Sequence, residues 1–411
     1  MGYKFNILYL SQYFPPEMGA PSARVFETSR YWIKKGVPVT VLTGFPNHPT
    51  GIIPPAYRHK WLMKEVIEGV PVVRTMIFPA ANKGFGKRIL NYLSFMLSAV
   101  MVGGRKVGPV DVVIATSPQF LVGIAGYILS RLKGAQFVFE VRDLWPQSIV
   151  ELGQLNNRVI IRLLEKIELF LYRKARAIIT VSDSSRQIIA SRGIPARKIF
   201  VIKNGVDLSL FTPGKEMRGL RERLGLKGKF VIAYIGTHGL SHALHNVLWC
   251  AKRLKGMPEI QFLFVGEGAE KERLMDQVQH MGLTNVIFID QISKEELPSY
   301  YELADVVLVP LRKLPLFKSV IPSKVFEIMA MAKPIIISVC GEARELVVEK
   351  ARAGIFVEPE NVQQLQEAIL KLYRDEGLRK QFGRNGRLFV EKYFDRDQLS
   401  EKYLKIIQEK L

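Results

Sequence analysis

The stretch DVVLVPLRKLPLFKSVIPSKVFEIMAMAKPIIIS, residues 305–338, contains one complete unit of the predicted fold. Its two short apolar runs, 305–310 and 334–338, are predicted to be buried strands. The segment between them is a loop followed by a short helix that Ser323 can cap. A strand, a helix and a second strand in this order are typical of a parallel sheet covered by helices.

The same alternation extends along most of the chain in both directions, and it predicts the α/β class. In the first half, strands are predicted at residues 5–10, 37–43, 112–115, 137–141, 177–181 and 199–202. After a turn-rich segment that we interpret as a hinge, 203–214, they are predicted at residues 230–236, 260–266, 286–290, 305–310 and 334–338. We expect two doubly wound parallel-sheet domains facing a cleft, 1–205 and 206–391. The final helix, about 392–411, is expected to cross back and pack on the first domain.

The positive charge of the chain is concentrated in its first half. Residues 1–205 contain 28 Lys and Arg against 11 Asp and Glu, whereas residues 206–411 contain 31 against 27. This asymmetry indicates an anionic partner near the first half, such as nucleic acid, anionic lipid or a phosphorylated substrate, although solubility alone also explains it. No stripe of clustered Lys and Arg with interleaved aromatic residues marks a nucleic-acid module, so nucleic acid is not the expected partner.

Cysteine usage and the N-terminal segment both favour a cytoplasmic location. Cys250 and Cys340 lie in apolar surroundings without CxxC spacing, so we expect buried thiols in a reducing compartment. Residues 1–14 have a short apolar part, and Pro15 and Pro16 follow where a cleavage site needs small residues. We therefore interpret this segment as a buried strand and not as a signal peptide.

Residues 83–106, KGFGKRILNYLSFMLSAVMVGGRK, place about fourteen apolar and small residues between basic ends, which is too short to span a bilayer comfortably. The segment is either a helix buried in the core or an amphipathic helix at the membrane interface. In the second interpretation, aromatic side chains insert into the bilayer and basic side chains face the headgroups. The aromatic residues are Phe85, Tyr92 and Phe95, and the basic residues are Lys83, Lys87 and Arg88.

The helix that follows residues 305–322 begins with a cation and a carboxylate close together. Lys324 lies in its first turn and Glu327 one turn later. A diphosphate needs N–H donors and positive charge, and one carboxylate matches a ribose diol by accepting two hydrogen bonds. An ordinary surface ion pair between positions i and i+3 explains the same two residues equally well.

A glycine after the first predicted strand is a second, weaker candidate. Gly19 stands just before a helix predicted to start at Ser22, so the backbone there can closely approach a diphosphate or a sugar. The segment lacks GxGxxG spacing, which argues against NAD. A simple turn is an equally good interpretation.

Four segments taken in order resemble the retaining glycosyltransferases of family 4, which have the GT-B fold. They are residues 8–43, 203–211, 263–274 and 323–336, and the resemblance covers essentially the whole chain. The phrases EVRDLWPQSIVELG, 140–153, and PSKVFE, 322–327, are similar to bacterial enzymes that build O-antigen, capsule or exopolysaccharide, including an L-fucosamine-transferase-like subgroup.

The resemblance implies a donor site in the second domain. Glu327 matches the second glutamate of the E-x7-E motif, which holds the donor ribose, and Ser323 and Lys324 lie against the diphosphate. Ser319 stands where the first glutamate is usual, so the carboxylate contact to the donor sugar is replaced. The glycines that follow two predicted strands, Gly236 and Gly266, complete the expected site.

Two cations that the family usually has in this site are replaced here. Thr237 and His242 stand where Arg and Lys are usual. We expect Lys324, helped by Lys318 or His238, to supply positive charge to the leaving diphosphate. The two histidines are equally well interpreted as ordinary loop and cap residues.

In the first domain, the predicted strand 137–141 delivers Glu140, Arg142 and Asp143 to the carboxyl edge of its sheet. Asp143 is expected to orient or deprotonate the acceptor hydroxyl, and Arg142 to hold a phosphate. A structural salt bridge is the alternative. GT-B enzymes stabilise the leaving group with helix N-termini and side-chain cations, so the resemblance implies neither a metal nor another cofactor.

The resemblance and the charge together predict retaining transfer of a sugar from a UDP-linked donor to a polyprenyl-diphosphate-linked saccharide, with N-acetylated amino and deoxyamino sugars among the candidate donors. We expect a peripheral enzyme at the inner face of the cell membrane. Two alternatives stay open: a sugar-nucleotide 2-epimerase, which shares the fold, and a non-catalytic protein that binds anionic surfaces or nucleic acid or serves as a partner subunit.

Overall fold

The computed structural model describes residues 5–48, 50–80, 85–117, 119–151, 153, 155–214, 217 and 219–411. The chain divides into two compact units. The first runs to Lys203 and also includes Arg396–Leu411, and the second is Asn204–Asp395.

Each unit contains one sheet, and the strands are numbered along the chain. Those of the first unit are β1 (Ile7–Leu10), β2 (Val39–Gly44), β3 (Leu62–Ile67), β4 (Val70–Thr75), β5 (Val112–Thr116), β6 (Gln136–Val141), β7 (Ala177–Thr180) and β8 (Ile199–Val201). Those of the second are β9 (Phe230–Ile235), β10 (Ile260–Val265), β11 (Val286–Ile289), β12 (Val306–Pro310), β13 (Ile335–Ser338) and β14 (Gly354–Phe356).

The α-helices are numbered in the same way. Before the second sheet they are α1 (Ala20–Lys34), α2 (Phe85–Ser98), α3 (Gly104–Lys106), α4 (Leu121–Lys133), α5 (Gln147–Glu151), α6 (Arg158–Lys174), α7 (Asp183–Ser191) and α8 (Leu220–Arg223). After β9 they are α9 (Leu244–Arg253), α10 (Lys271–His280), α11 (Leu297–Leu303), α12 (Lys324–Ala330), α13 (Glu342–Arg344), α14 (Val362–Arg374), α15 (Glu376–Tyr393) and α16 (Arg396–Lys410).

The first sheet has the strand order β3-β4-β2-β1-β5-β6-β7-β8. Its strands are parallel except for the antiparallel pair β3 and β4. Every residue of β1 is buried, because helices cover both faces of the sheet. The strands predicted for this half are confirmed, whereas the edge hairpin of β3 and β4 was not predicted.

Two helix layers cover the first sheet. On one face α1 packs with α16, where the ring centroids of Trp32 and Tyr403 are 5.2 Å apart and Trp32 Nε1 donates to the Ser400 carbonyl at 2.8 Å. On the other face, α2, α4 and α6 contribute Phe95, Leu129 and Leu171 to a separate core. The predicted return of the last helix to the first sheet is therefore confirmed.

The second sheet is entirely parallel, with the order β11-β10-β9-β12-β13-β14. Successive strands run outward from β9 on one side and from β12 on the other, so the order reverses between these two neighbours. In open α/β sheets, ligands bind at the carboxyl ends of the strands at such a reversal. The loops after β9 and β12 are therefore the expected position of a ligand in this unit.

The structure corrects part of the membrane prediction for α2. The Phe95 side chain has no exposed surface and belongs to the core, so it does not insert into lipid. Tyr92 is half-buried, and its hydroxyl accepts from Arg88 Nη2 at 3.2 Å. Lys87 is exposed as expected, whereas Lys83 and the side chain of Phe85 lie outside the described residues. Among the described helices, none is long and apolar enough to cross a bilayer.

Candidate functional site

Lys324 lies at the strand reversal of the second unit, as the first residue of α12. Its Nζ is 4.1 Å from the centroid of the Tyr234 ring, near the end of β9. This Nζ atom is buried and makes no hydrogen bond with any described residue. Burial lowers the pKa of the ammonium to about 7, even though Glu327 acts in the opposite direction. A buried cation without a hydrogen-bond partner is costly, and an anionic ligand is the natural partner for it.

Glu327 lies one helical turn after Lys324, and a second tyrosine fixes its carboxylate. The Tyr301 hydroxyl donates to Glu327 Oε2 at 3.0 Å. The neighbouring residues Val325 and Phe326 are fully buried, so α12 is held firmly against its unit. The prediction that Lys324 and Glu327 stand together beside the loop after β12 matches their placement, and their roles stay predictions.

Glycines let the loops after β9 and β10 approach each other closely. Gly236 and Gly266 have φ of 140° and 137°, which few other residues adopt. A Cβ on Gly266 would lie 2.2 Å from the Gly236 carbonyl oxygen, and one on Gly236 would lie 2.5 Å from Lys324 Nζ. Gly268 likewise leaves no room, because its Cβ would lie 2.3 Å from the His238 carbonyl oxygen. The backbone at Gly236 therefore lies in close contact with Lys324 Nζ.

The expectation that His238 helps Lys324 with positive charge is wrong. His238 has no exposed surface and lies among the rings of Tyr234, Phe264 and Phe288. Burial, together with the neighbouring lysines, lowers its pKa to about 4. Burial and Lys324 lower the pKa of His242 to about 3. Both imidazoles are therefore neutral at pH 7, and they shape the loop without carrying charge.

The two serines of the predicted donor site are placed differently from each other. Ser319 ends a 3₁₀ segment, Pro315–Ser319, and its hydroxyl donates to the Leu316 carbonyl at 2.9 Å. Ser323 is the N-cap residue of α12, but its side chain makes no capping bond because its backbone is already helical, with φ −60° and ψ −29°. Ser323 therefore occupies the predicted N-cap position, but the predicted hydrogen bond between its side chain and the helix is absent. Lys318 is exposed.

Sequence reasoning missed the two tyrosines that support this site. Tyr234 lies under the lysine, and its hydroxyl donates to the Thr237 carbonyl at 2.6 Å. Tyr301 comes from α11, which precedes β12 in the chain. The residues of β9 are buried on both faces, so no alternation in the sequence marks which side chain faces the loop.

In the first unit, Glu140 belongs to a buried network and not to an open site. Its carboxylate accepts from Arg24 Nε and from the Tyr9 hydroxyl, both at 2.7 Å. Burial alone would raise the pKa of Glu140, but Arg24 and Arg142 outweigh it and hold the pKa below its usual value. Arg24 also donates to the carbonyls of Ile202 and Lys203, at 3.0 and 3.1 Å. This network ties the carboxyl ends of the strands together, as the salt-bridge alternative expected.

Arg142 and Asp143 follow β6 directly, at the carboxyl edge of the first sheet. Their backbone N–H groups both point to the Ser117 hydroxyl, at 2.7 and 3.4 Å. The Arg142 atoms Nε and Nη1 are buried and have no hydrogen-bond partner among the described residues. Burial and the nearby Arg24 lower the pKa of Arg142 to about 10, so it keeps its charge at pH 7. Asp143 is exposed.

Gly19 is the N-cap residue of α1, after the loop that follows β1. Its φ of 125° requires glycine, and its Cβ would meet only Pro21 Cδ, at 3.8 Å. The space beside Gly19 is therefore open, as the predicted close approach of a ligand requires. Among the described residues, no group of three or more His, Cys, Asp or Glu is arranged to hold a metal ion.

Two family models match the chain one after the other. Residues 19–205 match the glycosyl transferase 4-like domain, and residues 217–389 match the glycosyl transferases group 1 domain. The second match contains Gly236, Lys324 and Glu327, and the first contains Arg142 and Asp143.

Relatives match over similar lengths. WcaI of Escherichia coli K12, a glycosyl transferase whose name assigns it to colanic acid biosynthesis, is 25% identical over 413 residues, which cover 98% of this chain and 100% of WcaI. CapM of Staphylococcus aureus, a capsular polysaccharide biosynthesis glycosyltransferase, is 24% identical over 343 residues, 80% of this chain and 81% of CapM.

Solved structures share the whole fold. HepE of Anabaena, solved with UDP-glucose, has a TM-score of 0.75 at 17% identity and covers 99% of this chain and 100% of its own. Sucrose-phosphate synthase of Thermosynechococcus elongatus has a TM-score of 0.74 at 18% identity, with 99% of both chains covered. The protein is therefore a glycosyltransferase with the GT-B fold, made of a glycosyl transferase 4-like domain and a glycosyl transferases group 1 domain.

Proposed function

We propose that this enzyme transfers a sugar from a UDP-linked donor to a lipid-linked saccharide, with retention of the anomeric configuration. The observation that carries the donor part is the buried Lys324 ammonium, which finds no hydrogen-bond partner in the described chain. A diphosphate gives this cation its partner, and a ribose diol gives the Glu327 carboxylate two hydroxyl donors. The UDP-glucose in the related fold of HepE supports the choice of nucleotide.

Lys324 is proposed to stabilise the leaving diphosphate. Negative charge builds up on that group as the glycosidic bond breaks, and a fixed cation in a dry site stabilises it strongly. The Tyr234 ring, 4.1 Å from Nζ, holds the ammonium in place before substrate arrives. The amide backbone around Gly236 covers the same atom. The Lys324 side chain is therefore already in position when the donor binds, and the bound diphosphate favours its charged form.

The acceptor is proposed to bind to the first unit. The two buried nitrogens of Arg142 that lack partners in the described chain suit a phosphate. The exposed Asp143 carboxylate suits the reacting hydroxyl, which it would orient or deprotonate. We infer that the acceptor is a saccharide on polyprenyl diphosphate, because WcaI and CapM carry names from polysaccharide biosynthesis and the first half of this chain is strongly basic. We therefore propose that the enzyme works at the inner face of the cell membrane.

We propose that neither a metal nor another cofactor takes part. Lys324 offers the leaving group the positive charge that a divalent ion supplies in other transferases. Turnover is therefore expected to be the same with EDTA as with added Mg²⁺. Loss of turnover in EDTA, restored by Mg²⁺, would show that the lysine is insufficient.

Nucleotide binding and transfer test the proposal directly. In a thermal-shift panel of UDP, GDP, ADP and CMP, UDP is expected to give the largest shift. UDP release from a panel of UDP-linked hexoses and N-acetylhexosamines is expected only when a synthetic polyprenyl-diphosphate-linked saccharide is added. Interconversion of the donor without acceptor would instead indicate an epimerase, and shifts with short DNA duplexes alone would indicate a nucleic-acid binder.

A further inference from the structure

Large apolar side chains are exposed along one helix layer of the first unit. They lie on α2 and the π-helical segment that continues it (Ala99–Gly103), on α4 and on α6. The exposed fraction reaches 70% at Leu132 and 74% at Val159. The full set is Leu90, Leu93, Leu97, Met101, Ile128, Leu132, Val159, Ile160, Leu163 and Phe170. We call these ten residues the apolar face.

The three helices lie side by side, so these side chains share one surface. α2 packs against α4, and α4 packs against α6. Tyr127 of α4 contacts Phe170 of α6, with ring centroids 5.2 Å apart. The inner sides of the same helices fill one core with Phe95, Leu129 and Leu171. The apolar face is therefore the outer side of a layer whose inner side is already packed.

Basic residues accompany the apolar face and acidic ones are scarce. Residues 85–106, 121–133 and 158–174 contain eleven Lys and Arg against two Asp and Glu. One of the two acids, Glu168, is buried, where it accepts from the Tyr172 hydroxyl at 2.6 Å and pairs with Arg192. Glu165 is the only exposed acid of these three segments.

The opposite helix layer lacks exposed large apolar side chains and carries a smaller excess of positive charge. Among the described residues, no large exposed hydrophobic side chain lies on α1 or α16. Together, α1 and α16 contain seven Lys and Arg against four Asp and Glu. The exposed apolar surface and the larger excess of positive charge therefore occur on the same side of the unit, and solubility does not explain exposed leucines.

We propose that the apolar face and its basic residues form the surface on which the protein docks to an anionic phospholipid bilayer. Leucine, isoleucine and phenylalanine enter the acyl boundary while Lys and Arg meet the headgroups. The inference rests on the proposed function, in which the acceptor is held in the membrane, and it adds α4 and α6 to the one segment that the sequence indicated. On α2 it replaces Tyr92 and Phe95 by Leu90, Leu93 and Leu97.

The direction of the helices agrees with this assignment. Each of α2, α4 and α6 connects parallel strands, so its N-terminal end lies at the carboxyl edge of the sheet. Val159, Ile160 and Leu163 occupy the first two turns of α6. The apolar face thus reaches the same edge as Arg142 and Asp143, where a lipid-borne acceptor has to arrive.

Sedimentation of the whole protein with vesicles tests the proposal. Wild type is expected to bind vesicles containing phosphatidylglycerol and to bind pure phosphatidylcholine more weakly. Leu163→Glu, and separately Arg162→Glu with Lys166→Glu, are expected to reduce binding by about tenfold or more. The matched controls are Leu388→Glu, at a leucine that is 66% exposed in the second unit, and Lys402→Glu with Lys405→Glu on α16. Both controls are expected to bind as wild type.

The affinity for UDP, measured on every variant, separates this inference from the proposed function. Unchanged UDP affinity with weakened vesicle binding supports the docking surface. The docking surface would be overturned if wild-type protein bound neither kind of vesicle, or if the α6 variants bound vesicles as well as wild type. Either result would count whether or not UDP binds. A change in oligomeric state in Leu163→Glu with vesicle binding intact would also overturn it, because the face would then be a contact between protein chains.

Discussion

At the scale of single residues, burial decides the charge state of Lys324. The pKa of about 7 lies well below the usual 10.5, so the free protein carries the cation below about pH 7 and loses it above. The unfolded chain keeps this proton up to its usual pKa, so this group's contribution to the free energy of unfolding rises with pH between these values. A bound diphosphate favours the charged ammonium and therefore raises the pKa of Lys324 again.

The first prediction follows from that reversal. UDP binding at pH 8 is expected to take up a proton at Lys324, and UDP affinity is expected to increase as the pH falls toward 7. Calorimetry in buffers of different ionisation enthalpy measures the uptake. Lys324→Met is the matched control, because any proton uptake that remains in this variant comes from the ionisation of UDP and not from the lysine. Equal uptake by wild type and Lys324→Met would contradict the prediction.

A second prediction concerns the carboxylate of Glu327. Glu327→Ala is expected to weaken UDP binding by about 10- to 100-fold, because hydrogen bonds to a charged group contribute about 1.5–3 kcal/mol. Tyr301→Phe removes only the bond that orients Oε2 and should cost less. Titration calorimetry measures both, and thermal melting checks that the fold is intact. Unchanged affinity in Glu327→Ala would exclude the ribose contact.

At the scale of elements, paired glycines determine how the loops over Lys324 are stacked. The Gly236 carbonyl oxygen leaves no room for a Cβ on Gly266. By contrast, a Cβ on Gly228, which has a φ of 71°, would meet open space. The two positions therefore differ in contact while both require positive φ. The φ of Gly266, 137°, also lies outside the left-handed region that Gly228 occupies, so the collision and the backbone conformation both add to the cost of an alanine at Gly266.

The third prediction uses that pair. Gly228→Ala is expected to lower the free energy of unfolding by about 1–2 kcal/mol, the cost of a left-handed residue. Gly266→Ala is expected to cost about 3 kcal/mol or more and to weaken UDP binding, because the loop after β9 must move. Chemical denaturation and calorimetry measure the two effects. Equal destabilisation by both variants would show that the close contact is relieved cheaply.

The sequence was sufficient to predict most elements of the fold and the position of Lys324 and Glu327. Buried strands such as β9 and β12 are recognisable because continuous apolar runs persist when both faces are covered. The hairpin of β3 and β4 escaped, because β3 is an edge strand that is only partly buried. Long-range partners escaped for a different reason: Tyr301 reaches Glu327 across 26 residues, a contact that only tertiary packing creates.

At the scale of the whole molecule, the first unit depends on the last helix of the chain. Tyr403, Leu404 and Ile407 of α16 are buried in the core that contains Trp32. Arg396 also pairs with the buried Glu27 at 2.6 Å. A helix that is distant in sequence therefore completes one of the two layers on the first sheet.

The fourth prediction tests that dependence. Leu404→Ala is expected to lower the stability of the first unit by about 2–5 kcal/mol, the cost of a cavity at a fully buried leucine. Hydrogen exchange should accelerate in β1, β2 and β5 while β9 and β10 keep their protection. Leu388→Ala, at an exposed leucine, is the control and should change neither set. Equal acceleration in both units would show that they unfold together.

The return of the chain at Arg396 also fixes an order of maturation on the ribosome. Residues up to Lys203 are synthesised before α16, so the side of α1 that packs against α16 stays uncovered until α16 has left the exit tunnel. The second unit, continuous in sequence, has by then been made completely. We therefore expect the part of the protein that is translated first to finish folding last, with Trp32 accessible to chaperones in the interval.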